Sequence, residues 1–157
     1  MKALILAMTS ILFGGVPFGA SEGELRAKIN KPLEEQVLGD GSRALVIRES
    51  IAGREAQRKW VIRNGAFVEG ILLFSFNGEK SDCERLQRDA LSALKANYGA
   101  EPQRMDDAPN RTFTWELWSI TLNDGSRIEQ RMAYMPLTKN CSVGGHYFPP
   151  VAGAKAF

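Results

Sequence analysis

The stretch that most limits what this chain can become runs from Phe67 to Pro102, an apolar strand followed at once by a capped helix. Its second half reads Ser81-Asp-Cys-Glu84, then Leu86, Ala90, Leu91, Leu94 and Tyr98, then Gly99 and Pro102. Ser81 and Glu84 have the spacing of a capping box, in which each side chain satisfies a free backbone N–H at the helix start. The apolar residues recur every three or four positions and share one stripe, which leaves Arg85, Arg88, Asp89 and Lys95 towards solvent. Gly99 takes the left-handed turn that ends a helix, and Pro102 forbids its continuation.

The strand before this helix is apolar on both faces, through Ile71, Leu72, Leu73, Phe74 and Phe76. Period-two alternation would leave one face polar, so the strand is expected to be central and covered on both sides. One face is expected to carry the Ser81–Tyr98 helix. The other must meet the N-terminal segment, curled strands or another molecule.

Around this centre the chain reads as sheet. Arg43–Ser50 and Gln57–Arg63 read as strands, with a polar loop from Ile51 to Glu55 between them. Asn64-Gly65 between apolar runs predicts a two-residue hairpin that sets Arg63 opposite Ala66, Ile62 opposite Phe67 and Val61 opposite Val68. After a polar connection from Ala100 to Asn110, Arg111–Leu122 is the next strand. Its apolar parity changes between Leu117 and Trp118, which predicts a bulge. A three-residue loop at Asn123-Asp-Gly125 would align Ile120 with Ile128. Ser126–Met135 and Cys141–Phe148 complete the set. The expected fold is one α+β domain, a twisted antiparallel sheet of about six strands in the order β-β-β-α-β-β-β with one long helix on a face. Ahead of it, Glu22–Leu38 reads as two short helical turns broken by Pro32.

The N-terminus carries a different signal. Met1-Lys2 is followed by an apolar run from Ala3 to Val16 with no charge, then by Pro17 and the small residues Gly19-Ala20-Ser21. This is the pattern of a secretory signal peptide, cleaved after Ala20 or Ser21. About fourteen apolar residues span only ~21 Å as a helix, short of a ~30 Å hydrocarbon core. The expected division is therefore a leader over 1–21, a domain over 22–150 and a loose tail over 151–157. At 157 residues, 44% hydrophobic and 24% charged, the chain suits one ordered domain. Twenty basic and 18 acidic residues give +2, and loss of Lys2 with the leader gives +1. Such a balance argues against nucleic acid as a partner.

In an exported chain, two cysteines are most simply one disulfide, so Cys83 and Cys141 are expected to pair and pin the C-terminal strand to the helix start. A Cys141–His146 nucleophilic pair is disfavoured, because five residues along a strand place the two on opposite faces.

Chemistry is not spelled out elsewhere. His146 is the single histidine, and no Gly-x-Ser-x-Gly turn marks a serine for it. A zinc site would need three or four ligands. Gly39-Asp-Gly41 and Gly144-Gly145 lack the lysine and following helix of a phosphate loop. Glu49 with Glu55, or Asp106 with Asp107, are the candidate acid pairs for glycoside hydrolysis. Asn110-Arg-Thr112 matches a glycosylation sequon. No catalytic residue, metal or cofactor is assigned.

What remains is a surface for another macromolecule. Aromatic and arginine side chains anchor protein interfaces, which singles out Trp60, Trp118, Tyr147, Arg58 and Arg63. The sequence thus points to a non-catalytic, periplasmic or secreted protein-binding module such as an inhibitor, immunity protein or assembly factor. Its partner would be another envelope or secreted protein, with a homodimer also open and no stable membrane span after leader removal. The alternatives are a small periplasmic hydrolase or carbohydrate-active enzyme, and an apolar small-ligand carrier.

Overall fold

The computed structural model describes residues 12–105 and 114–150. The tail 151–157, the acid pair Asp106–Asp107 and the sequon at Asn110 lie outside the described residues.

Strands β3 (Glu34–Val37), β4 (Arg43–Ile51), β5 (Arg54–Arg63), β6 (Ala66–Asn77), β7 (Gln103–Arg104), β8 (Thr114–Thr121), β9 (Arg127–Met135) and β10 (Asn140–Phe148) form one eight-stranded sheet. Its order is β3-β4-β5-β6-β10-β9-β8-β7, and every neighbouring pair is antiparallel. The α+β class is as expected, but the sheet has eight strands rather than about six. The two additions are its edges. Glu34-Glu35-Gln36-Val37 is exposed at every position, so no apolar alternation marks it; backbone pairing and the ion pairs Glu35–Arg43 and Glu34–Arg48 hold it to β4.

Helix α1 (Glu22–Ile29) and helix α2 (Lys80–Tyr98) lie on the same face of the sheet. Register fixes that face: Trp60 pairs with Gly70, Gly70 with Tyr147 and Tyr147 with Ile128, so all four side-chain positions point one way. α2 covers β9 and β10 rather than the middle of β6. Leu94 packs on Ile120 and Ile128, while Cys83 and Leu86 pack on Met132, Tyr134 and Val143. Cys83 and Cys141 form the expected disulfide, with Cα atoms 5.7 Å apart.

The middle of β6 is covered by residues from the N-terminus. Phe13, Val16 and Ala20 are buried together with Leu25 of α1 and with Leu45, Trp60, Ile62 and Phe67 of the sheet. Strands β1 (Leu12–Phe13) and β2 (Val16–Pro17) make a small hairpin there. The boundary expected between leader and domain, at residue 21, runs through this packing. On the other face Ala44, Val46 and Val61 form a small cluster with Leu38, Val68 and Ile71. Among the described residues no helix lies over that face, so the two-sided cover expected for β6 is one-sided.

Turn chemistry explains most connections, with corrections. The Asn64-Gly65 hairpin pairs Arg63 with Ala66 and Ile62 with Phe67, but a register shift sets Val61 opposite Glu69 instead of Val68. The bulge expected at Leu117–Trp118 is absent, since β8 pairs with β9 without a shift from Thr114 to Thr121. The parity change there reflects a strand half-exposed on both faces. Ile120 does align with Ile128. The loop expected over Ile51–Glu55 is a two-residue turn, Ala52-Gly53, with Ala52 at φ 50°.

The capping box at Ser81 and Glu84 does not form. α2 begins at Lys80 with Glu79 at its N-cap, so Ser81 falls inside the first turn. Gly99 ends the helix as expected, its N–H donating to the Lys95 carbonyl. The serine that does cap is Ser21, whose Oγ accepts from Glu24 N at 3.1 Å and starts α1.

Candidate functional site

Three of the five expected surface residues meet one another around Phe13. Trp60 is fully buried and its Nε1 donates to the Phe13 carbonyl at 3.0 Å. The Tyr147 ring lies 5.0 Å from the Phe13 ring, and burial, with the neighbouring Tyr98 adding, pushes its hydroxyl well above the usual tyrosine range. Arg58 is bonded to Glu49 at 2.7 Å and its guanidinium sits over the same Phe13 ring at 5.5 Å. Of these residues around Phe13, Trp60 is fully covered while Tyr147 and Arg58 are half-buried. Arg63 is exposed on the opposite edge of β5, paired with Asp40 at 2.8 Å.

Trp118 is the expected residue that the fold leaves in a groove. Its indole Nε1 donates to Glu116 at 3.0 Å, and the Arg104 guanidinium lies 5.9 Å above the ring. The groove, about 480 Å³, runs between α2 and β8 and is lined by Arg88, Leu91, Ser92, Lys95, Glu101, Pro102 and Trp118. The helix side is a spacing of 0, 3, 4 and 7, Arg88-Leu91-Ser92-Lys95, which places all four on one stripe. Lys95 closes one end by pairing with Glu101 at 2.6 Å. Among the described residues Arg88 makes no ion pair. This is what reading the sequence missed: Arg88 and Lys95 pass for a solvated face, and only tertiary packing brings Trp118 beneath them. The visible clue was their spacing around Leu91.

The acid and histidine candidates separate. Glu49 pairs in register with Ala56 on the helix-covered face, whereas Glu55 pairs with Ser50 on the other, so the two do not converge. His146 lies on that other face, with Nδ1 3.1 Å from Glu69 Oε1. Arg63 reaches the second oxygen of Glu69 at 3.9 Å. Cys141 is on the helix-covered face, so it and His146 are indeed on opposite sides. Beside His146, Phe148 is stacked at 6.4 Å and carries the Arg127 guanidinium at 4.6 Å. This is a row of charged side chains and rings across four strands. Among the described residues no cluster of histidine, cysteine and carboxylates is placed to hold a metal ion.

No helix among the described residues is long and apolar enough to cross a membrane. Compared with protein-family models, with curated proteins and with solved structures, the chain matches none.

Proposed function

We propose that the protein is a non-catalytic, exported module of the cell envelope that grips a segment of a partner protein in the Trp118 groove, in the manner of an inhibitor, immunity protein or assembly factor. One observation carries the reading: a tryptophan floor, an apolar helix residue and an arginine with no ion pair among the described residues share one open groove. Tryptophan and arginine in a desolvated recess are the side chains that most often dominate interface energies. The groove volume suits one or two anchoring side chains rather than a whole domain. Leu91, Pro102 and the Trp118 ring offer apolar contact, and Arg88 favours a carboxylate beside the anchor. The disulfide is compatible with an exported protein.

The test is a photo-reactive amino acid at Ser92, on the groove rim, with Glu55 on the far face as control. In the native host, illumination should give a discrete adduct from position 92 and none from position 55. Adding Trp118→Ala to the same chain should remove it. An adduct indifferent to Trp118, or release of sugar or peptide products by the purified protein, overturns the reading.

A further inference from the structure

The N-terminal segment Phe13–Ala20 is held by contacts of a kind that chance packing does not produce. The Phe13 ring lies over Gly70, in the interior of β6, so closely that a Cβ built on Gly70 would stand 2.5 Å from it. Glycine in a strand interior weakens the strand and marks a close approach by something else. Here that something is Phe13. The contact is matched from the other side, since a Cβ on Gly14 (φ 60°) would stand 2.7 Å from the Trp60 ring. Trp60, Phe67 and Tyr147 ring Phe13 at 5.7, 6.2 and 5.0 Å between centroids. Phe18 stacks on Phe67 at 4.8 Å.

Backbone pairing extends these contacts. Gly19 N donates to Phe67 O and Phe67 N to Ala20 O, both at 2.8 Å, and Glu22 N donates to Gly65 O at 3.2 Å. The buried indole N–H of Trp60 has the Phe13 carbonyl as its acceptor. Cutting the chain after Ala20 or Ser21 would leave that donor unpaired, Gly70 facing a void, and Phe67 stripped of two ring contacts and two backbone bonds. An unsatisfied buried donor and an emptied aromatic site are among the costliest defects a small core can carry. A cut after Ser21 would also remove the cap of α1.

We therefore propose that Phe13–Ala20 is a permanent part of the folded domain, an intramolecular ligand seated in a slot floored by Gly70, and that any processing of the N-terminus leaves it attached. The slot's natural occupant is this chain's own Phe13, not a diffusible apolar molecule. The proposal is independent of the groove at Trp118 and holds whether or not the chain is exported.

Gly70→Ala in the full chain gives a result whose sign decides. With the ring seated, the new methyl collides with it and the melting temperature falls. With the slot empty, alanine is the better strand residue and the melting temperature holds or rises. Phe13→Ala alone should lower the melting temperature, and Gly70→Ala added to it should cost little or partly restore it, because the methyl then fills space the ring has left. Additive losses in the double variant overturn the proposal. The second measurement needs no variant: intact mass and N-terminal sequencing of the wild-type protein from its native host. A first residue at or before Phe13 supports retention. A mature chain that begins after Phe13, at Ser21 or Glu22 above all, overturns it.

Discussion

The two halves of the covered face are built in opposite ways. Over β8–β10, one helix of 19 residues lies on the sheet, cross-linked to it between Cys83 and Cys141. Over β4–β6, the cover is an eight-residue helix with one buried side chain, Leu25, and an extended segment whose ring fills a glycine gap. The first cover is a single helix and is covalently tied. The second is a short helix together with the extended residues just before it, with no covalent tie, and a ring of charges holds the helix: Glu22 bonds Arg43 at 2.8 Å and Arg26 at 3.0 Å, while Glu35 takes the same two arginines at 2.9 and 2.8 Å. Tyr147 stands at the seam, in contact with both apolar clusters. The lesson is that one sheet face can be closed either by a self-sufficient element or by a set of mutual dependencies, and the two should fail differently.

The largest expected effect is on the tied half. The bridge spans 58 residues of sequence, and chain-entropy reasoning gives about 4 kcal/mol for a loop of that size. Urea titrations of the wild type with and without reductant, or of the Cys83→Ser, Cys141→Ser pair, should show a loss of that order. Protection of α2 amides from hydrogen exchange should fall more than that of β4 and β5. A loss below about 1 kcal/mol would mean that α2 owes its place to packing alone.

On the other half, Leu25→Ala should cost about 3 kcal/mol, because it empties the single buried position of α1. The exchange signature should be the mirror image, with α1 and Phe67–Val68 loosening while α2 stays protected. If both halves loosen equally, the comparison fails, and the covered face unfolds as one unit.

How much of this was legible follows the same division. The periodicity of α2, its Gly99 stop, the disulfide and the Ile120–Ile128 register are all encoded within a few residues or in a pair of cysteines, so the sequence showed them. The cover of β6 was not legible. Phe13 and Val16 close the apolar run Ala3–Val16 and Phe18 follows it, in the pattern expected of a leader, and nothing local tells a leader from a segment that fills a gap at Gly70. The edge strands were missed because exposure on both faces erases alternation. At the site, the fold puts Trp118 in an open groove, buries Trp60 and leaves Arg58 and Tyr147 half-buried, because composition identifies anchor-type side chains but only topology says how far each remains outside.

A smaller pair of effects sharpens the correction at the helix starts. Ser21→Ala should cost about 1 kcal/mol, the usual value of an N-cap serine. Ser81→Ala, at a position with the same box spacing but no capping bond, should fall within about 0.5 kcal/mol of wild type. Equal costs would mean that the helix over β8–β10 is capped by its serine after all.

The smallest effect distinguishes the halves by pH. Hydrogen bonds from Arg43, and then from Arg26, hold the Glu22 carboxylate below its ordinary value of 4.5. The Ser42 hydroxyl and backbone N–H, with Arg63, bring Asp40 from 3.8 down to about 2. Both groups belong to the untied half. A carboxylate with a depressed folded-state value favours the fold above its unfolded value, and that contribution fades as pH falls towards the folded one. Between pH 4.5 and about 2, α1, β3 and the Asp40 turn should therefore lose exchange protection before α2 does. Asp40 is exposed and Glu22 only half-buried, so the effect should be modest and should shrink as salt screens the pairs. At the other end of the scale, Tyr147 and Tyr98 are raised by burial from the ordinary 10.0. Their neutral forms fit the seam, so stability should hold up to pH 10 and decline above it as the unfolded chain ionises first. Acid should open one half and alkali the junction between them. If Glu22→Gln leaves the acid limb unchanged and α2 exchanges in step with α1, the charge ring does not hold the untied cover.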